Sequence, residues 1–283
     1  MKHFLIIFLY LPSLLFGQNA FTDVTLNSGI DNIYDVYEGL FGGGVVAFDY
    51  NNDGFEDLYI TGGKSQDILY KNNGNGTFKD VINGSGLLKD SLMVTTGVSS
   101  ADVNKDGYID LLVTTITSQN NHPNDKNKMS SNLLYINNGD GTFSNLSSKY
   151  GLQKRNFSTS ASFGDINADG YPDLFIANYF NDFYFDDNPL GANRLSLLNN
   201  YVVQSEYETG QDELYINIDG KYFKDVSYLL VDAGKGYGFG GVFTDFDNDN
   251  DLDLFIINDF GETHEPNQLL VNQYPELRFE NKS

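Results

Sequence analysis

A nine-residue pattern recurs four times in this chain, at residues 49–57, 102–110, 165–173 and 245–253. Positions 1, 3, 5 and 9 of each copy are Asp or Asn, and position 6 is Gly except for Asn250 in the fourth copy. Each copy runs into a short apolar segment. Repetition constrains the fold more than any single segment, because each copy predicts the same local structure.

The pattern supplies the ligands that Ca²⁺ prefers, which are oxygens at alternate positions around a sharp turn at position 6. Gly or Asn at that position tolerates a left-handed backbone. We expect the side chains at positions 1, 3, 5 and 9 and the main-chain carbonyl of position 7 to hold one Ca²⁺ per loop, about four ions in all. The candidate ligands are Asp49, Asn51, Asp53, Phe55, Asp57, Asp102, Asn104, Asp106, Tyr108, Asp110, Asp165, Asn167, Asp169, Tyr171, Asp173, Asp245, Asp247, Asp249, Asp251 and Asp253.

These loops differ from EF-hands, which need a bidentate Glu at position 12 and flanking helices. Position 12 here is Ile60, Val113, Ile176 or Ile256, inside an apolar run that is typical of a buried strand. The Asp at position 9 therefore takes the closing role. The alternative is an Asx-rich hairpin turn without metal, but four copies in one context favour a calcium loop.

Each loop lies within a longer unit that predicts four strands. One strand precedes the loop, a second follows it, and a third and fourth are joined by Asn-Gly or Asp-Gly turns, which supply positive φ at low cost. The fourth strands begin at Phe78, Phe143 and Phe223, with a degenerate copy at Phe279. Repeated units of four antiparallel strands predict an all-β propeller. The repeats span about residues 41–90, 91–152, 157–232 and 237–283.

The chain resembles the FG-GAP/VCBS repeat proteins, whose calcium loops lie in integrin-type propellers. Within that group it is similar to bacterial relatives of cartilage acidic protein. The resemblance rests on the loops, on residues 21–25, on the Gly-Gly steps after Phe41 and Phe239, and on residues 266–270. It covers nearly all of residues 21–283 and implies that residues 18–283 form one propeller domain.

The resemblance implies a role in adhesion or recognition, with a glycan or an extracellular protein as partner. An enzyme, such as a polysaccharide lyase or hydrolase on a calcium-loaded propeller, is the alternative. We expect no catalytic residues, since the sequence lacks a nucleophile elbow, an HExxH motif and a Gly-rich phosphate loop. The long connection at residues 178–213, which is rich in Phe and Tyr, is the expected ligand-binding loop. The alternative is that its aromatic side chains pack onto the blade as a lid.

The chain is strongly acidic, with 39 Asp and Glu against 17 Lys and Arg and a net charge of −22. Such a charge disfavours binding to nucleic-acid phosphates and anionic membranes. Three carboxylates in each of the first three loops and four in the last are candidate ligands. Without a cation, these groups repel one another at short range.

The N-terminus predicts export. Residues 1–17 combine Lys2 with a short apolar stretch and a small residue, Gly17, which is typical of a secretory signal cleaved near Gln18. A membrane anchor is the alternative, although the apolar stretch is too short to span a bilayer comfortably. We therefore expect a secreted, periplasmic or cell-surface protein with no membrane span after cleavage. The absence of Cys rules out disulfides.

The two ends of the chain predict an incomplete ring. Residues 21–24 have the same Phe-x-Asp-Val form as the fourth strands, yet the last repeat has a fourth strand of its own at Phe279. A ring of four blades has no place for both. We therefore expect an arc of a larger ring, about seven-bladed within the usual range of propellers, and self-association through its open ends.

Overall fold

The computed structural model describes residues 21–35, 42–91, 93–118, 130–179, 209–230, 233–262 and 264–283. Within these ranges it contains sixteen strands, one turn of α-helix at Thr25–Ser28 (α1) and one turn of 3₁₀ helix at Ser227–Leu230. The predicted all-β class is therefore confirmed. The expected signal peptide and most of the expected ligand-binding loop lie outside the described residues. No helix in the described ranges is both long and apolar enough to cross a membrane.

The strands form four antiparallel sheets of four strands each, and neighbours in every sheet are consecutive along the chain. We number these sheets 1 to 4. Sheet 1 contains β1 (Val45–Phe48), β2 (Asp57–Ile60), β3 (Ile68–Asn72) and β4 (Phe78–Asp80), and sheet 2 contains β5 (Met93–Ala101), β6 (Asp110–Ser118), β7 (Leu133–Asn137) and β8 (Phe143–Asn145). Sheet 3 contains β9 (Ser158–Gly164), β10 (Asp173–Asn178), β11 (Glu213–Ile218) and β12 (Tyr222–Asp225). Sheet 4 contains β13 (Tyr237–Thr244), β14 (Asp253–Asp259), β15 (Gln268–Gln273) and β16 (Glu276–Asn281).

The four loops occupy the same place in every sheet. Each connects the first strand to the second, and the Asp at position 9 is the first residue of the second strand. The register is also shared, since Phe48 pairs with Asp57 and Thr244 pairs with Asp253. The sequence repeat is therefore a structural repeat, as predicted.

The sheets pack face to face in chain order, and each boundary is a hydrophobic core. Sheets 1 and 2 share a cluster that includes Tyr59 and Leu111, and sheets 3 and 4 share one that includes Phe175 and Leu254. A third cluster joins sheets 2 and 3 through residues such as Leu112 and Leu174. Each fully buried side chain of this size contributes about 1.5–3 kcal/mol, so burial at these boundaries holds the sheets together.

The first strands of the sheets approach most closely. A Cβ on Gly44 would lie 2.7 Å from the amide nitrogen of Val98, and one on Gly97 would lie 2.8 Å from the carbonyl oxygen of Thr159. In this way β1 contacts β5, β5 contacts β9 and β9 contacts β13. Within the described ranges this series does not close into a ring. The larger ring stays a prediction.

Residues 21–24, which have the sequence form of a fourth strand, form no strand in the single chain. These residues are irregular, and the Phe21 side chain is 93% exposed. A strand needs a neighbouring edge to bond its backbone, and the described part of the chain places none beside this segment. The turn that follows these residues packs as its equivalent does, because Gly29 lies against the backbone of Phe78 as Gly86 lies against that of Phe143.

A second shared feature lies at the opposite end of the sheets from the loops. An Asp or Asn just before the third strand accepts a hydrogen bond from an amide in the second half of the second strand or just after it, as Asp212 Oδ1 does from Asn178 N at 2.7 Å. The equivalent acceptors are Asp67, Asn132 and Asn267. Asp212 is fully buried, and its Oδ2 has no hydrogen-bond partner among the described residues. Burial raises the pKa of this carboxyl to about 8.

We predict that Asp212→Asn stabilises the protein more at pH 8 than at pH 5. Above the ordinary carboxyl pKa of 3.8 and below about 8, the unfolded chain ionises at this position while the folded chain keeps its proton. Stability therefore falls as pH rises through that window, and Asn removes the effect. Thermal unfolding at both pH values measures it. The exposed substitution Asp219→Asn is the control, and an equal shift at both pH values would contradict the prediction.

Candidate metal centre

Each loop is shaped by two left-handed residues, at positions 4 and 6. Position 6 has φ of 87° at Gly54 and 74° at Asn250, as the sequence predicts. Position 4 is also left-handed, with φ of 60° at Lys105 and 55° at Ala168. Sequence reasoning missed position 4, because neither Lys nor Ala signals this conformation.

The carboxylate at position 1 lies inside the loop and accepts two backbone amides. In the first loop Asp49 accepts the Asp53 amide at 3.0 Å and the Gly54 amide at 2.7 Å. The same pair of bonds forms around Asp102, Asp165 and Asp245. The turn therefore wraps around this carboxylate, and the side chain at position 3 joins it in the first three loops by accepting the position 5 amide.

The Asp at position 9 is fully buried in every loop and accepts hydrogen bonds on both carboxylate oxygens. Asp173 accepts the Ile166 amide at 2.9 Å and the Asn217 amide at 2.8 Å. The first donor belongs to position 2 of the same loop, and the second belongs to the third strand. This carboxylate thus joins the loop to two strands of its sheet. Equivalent pairs of bonds form at Asp57, Asp110 and Asp253.

The loops are electrostatically strained without a cation. Burial, with a smaller contribution from the neighbouring carboxylates of Asp106 and Asp102, raises the pKa of Asp110 to about 7 against two lowering amide bonds. The pKa of Asp173 is raised to about 7 for the same reasons. In the fourth loop the pKa of Asp247 is raised by desolvation and then by its acidic neighbours. A bound divalent cation would offset both causes.

The fourth loop brings three carboxylates close enough together to contact a single ion. Oxygens of Asp245, Asp247 and Asp253, from positions 1, 3 and 9, all lie within 4.8 Å of one another. Oxygens bound to one Ca²⁺ at about 2.3–2.6 Å can be up to about 5 Å apart, so this group fits the ion. Position 3 is Asn in the other three loops, where the amide oxygen is the equivalent ligand.

The side chain at position 7 holds the turn between the third and fourth strands. The rings of Phe55 and Tyr108 lie against Gly74 and Gly139 of those turns. In the fourth loop, Asp251 Oδ2 instead accepts the Tyr274 amide at 3.3 Å. These side chains face the turn, which leaves the main-chain carbonyl as the expected ligand at this position. That expectation stays a prediction.

We predict that Asp173→Ala destabilises the protein even in EDTA. It leaves two buried amides without an acceptor, and each unsatisfied group costs about 1–3 kcal/mol. Among the described residues, the exposed Asp169 carboxylate of the same loop accepts only the Tyr171 amide and the Asn167 side-chain amide, so Asp169→Ala is the matched control with a smaller expected effect. Urea unfolding in EDTA measures both. Equal losses would show that position 9 has no bracing role.

Comparison with known families gives matches to the same repeats. A model described as an FG-GAP-like repeat matches residues 49–113 and 117–176, and a model described as an FG-GAP repeat matches residues 157–198. Together they cover about half of the chain. No curated protein matches it. The narrower similarity to bacterial relatives of cartilage acidic protein is not confirmed by these matches.

Proposed function

Because the chain belongs to the FG-GAP repeat proteins, we propose that it is an exported calcium-binding propeller protein that recognises a glycan or an extracellular protein. FG-GAP repeats are consistent with a propeller-type protein used in adhesion or recognition. The observation that carries the calcium assignment is the convergence of Asp245, Asp247 and Asp253 in a loop that the chain repeats four times.

Two further observations support calcium. Burial and neighbouring acids raise the pKa of Asp110 and Asp173, two of the position 9 carboxylates, and a divalent cation would offset this rise. The donors are also all oxygens, and hard cations such as Ca²⁺ take six to eight oxygen ligands in flexible geometry. The side chains at positions 1, 3, 5 and 9 would bind the ion, and its role there is to neutralise the loop and fix its shape.

We predict four bound Ca²⁺ and a melting temperature that rises with Ca²⁺ concentration. Each site that binds only the folded chain adds about 2.7 kcal/mol of stability at a hundredfold excess over Kd. Asp249→Ala, in the most acidic loop, should remove one ion, whereas Glu276→Ala outside the loops should remove none. Native mass spectrometry counts the ions, and calorimetry follows the melting. An unchanged melting curve in excess EDTA would reject the calcium assignment.

Export is the second part of the proposal, and the N-terminal sequence supports it. Expression with its own leader in a bacterium should yield a mature chain that begins near Gln18. Millimolar Ca²⁺ outside the cell would keep even weak loops loaded. Intact-mass measurement tests the cleavage. A membrane-embedded product that retains Met1 would support the anchor instead.

Recognition is favoured over catalysis by the packing at the end of the sheets opposite the calcium loops. Tyr179 donates to Asp259 at 2.7 Å, and its ring lies 5.2 Å from that of Tyr237. Tyr237 in turn lies 4.8 Å from the ring of His264. These groups form a packed, hydrogen-bonded cluster, which suits a scaffold for binding loops.

A glycan array with Ca²⁺ or with EDTA tests the recognition role. We expect binding in Ca²⁺ that is lost in EDTA, because the loops hold the sheets that carry the binding end. Acidic and neutral polysaccharides incubated with the protein provide the parallel assay. Shortened products without stable binding would support a polysaccharide lyase or hydrolase.

A further inference from the structure

The first of three contacts repeats at every internal sheet boundary. Position 2 of each of the first three loops is covered by the next sheet, and its carbonyl accepts the side-chain amide of an Asn on that sheet's third strand. Tyr50 accepts from Asn137 at 2.8 Å, and Ile166 accepts from Asn272 at 2.8 Å. Val103 accepts from Asn217 in the same way, at 2.9 Å.

Sheets 4 and 1, at the two ends of the series, each carry one side of this contact without its partner. In the fourth loop, position 2 is Phe246, which is 46% exposed although its three equivalents are buried. In sheet 1 the equivalent Asn is Asn72, which donates to Glu56 O of its own sheet at 2.9 Å. Its counterparts donate both to their own sheet and to the preceding loop. Among the described residues, Asn72 makes only the first of these two bonds.

The second contact joins the second strand of one sheet to the first strand of the next. The ring of Phe175, which is fully buried, lies against the Cα of Gly241. At the other boundaries the covering residue is Val98, which packs in the cluster of Tyr59, or Ala161, which packs in that of Leu112.

The unmatched halves of the second contact also lie at the two ends. In sheet 4 the residue to be covered is Phe255, which is only half-buried. In sheet 1 the covering residue is Val45, which is 61% exposed. Phe255 against Val45 would repeat the aromatic-on-valine packing of Tyr59 with Val98.

The third contact links neighbouring loops. Asn52, at position 4 of the first loop, donates to the Gly107 carbonyl at position 6 of the second, at 3.1 Å. The fourth loop has Asn at the same position, Asn248, with the same left-handed backbone. Its complement would be the carbonyl of Gly54, at position 6 of the first loop.

From these matched halves we infer that sheet 4 of one chain packs against sheet 1 of a second copy, and that two copies close one ring of eight sheets. Head-to-tail contacts of this kind give rings when the rotation closes, and eight blades lie within the range of propellers. The contact covers exposed apolar side chains on sheet 4, namely Phe239, Val242, Phe246 and Ile257, which are 43–52% exposed in the single chain.

The three contacts described above use the loops and the first three strands of each sheet. Strand β16 already fills the outer edge of β15, which is where residues 21–24 of the second copy would otherwise pair. Those residues therefore lie outside sheet 4 in the ring. Removing them should leave the assembly intact.

Sedimentation of residues 18–283 in millimolar Ca²⁺ tests the inference, and a discrete dimer is expected. Val45→Asp and Ile257→Asp place a charge in the apolar contact, and each should raise the dimer Kd at least tenfold. Both side chains are exposed in the single chain, so the monomer should melt unchanged. Leu88→Asp, 52% exposed away from both faces, is the control.

Mixing the two variants distinguishes a head-to-tail contact, in which sheet 4 meets sheet 1, from a symmetric contact between two identical faces. A dimer of Val45→Asp with Ile257→Asp keeps one undamaged contact, so the mixture should associate more tightly than either variant alone. A monomeric wild type, an open polymer, an effect of only one variant, or dissociation on removal of residues 18–24 would each overturn the inference.

Discussion

The structure depends on one buried carboxylate in each repeat, the Asp at position 9 of the loop. Asp173 accepts an amide from its own loop and one from the third strand at Asn217. The side chain of Asn217 then donates to the carbonyl of Val103 in the preceding loop. The loop, its sheet and the neighbouring sheet are thus joined by a single chain of hydrogen bonds. These bonds also offset the cost of burying the carboxylate, which would be high if it had no partner.

The same carboxylate is a reason to propose a metal at this place. Burial and acidic neighbours raise the pKa of Asp110 and Asp173, so the loop holds its shape at an electrostatic cost when no cation is bound. The turn already places the other donors around it, because amides at positions 5 and 6 bond the position 1 carboxylate. We propose that the ion completes this arrangement and so stabilises the loop.

Much of the fold could be predicted from sequence, because each strand is bounded by local signals. Asn-Gly and Asp-Gly turns and short apolar runs predict four strands per repeat, as observed. The left-handed conformation at Lys105 and Ala168 could not be predicted, since it is imposed by the hydrogen bonds of the loop. The irregular state of residues 21–24 and the exposure of Phe246 depend on which sheet lies beside them. Local sequence carries no such information.

Anomalous scattering from crystals grown in Ca²⁺ tests the central claim most directly. The account predicts one peak in each of the four loops, about 2.3–2.6 Å from oxygens at positions 1, 3, 5 and 9 and from the carbonyl at position 7. Loops without peaks, whose carboxylates keep only their amide hydrogen bonds, would contradict it. They would show that the repeated pattern is a structural turn and that its acids serve the backbone alone.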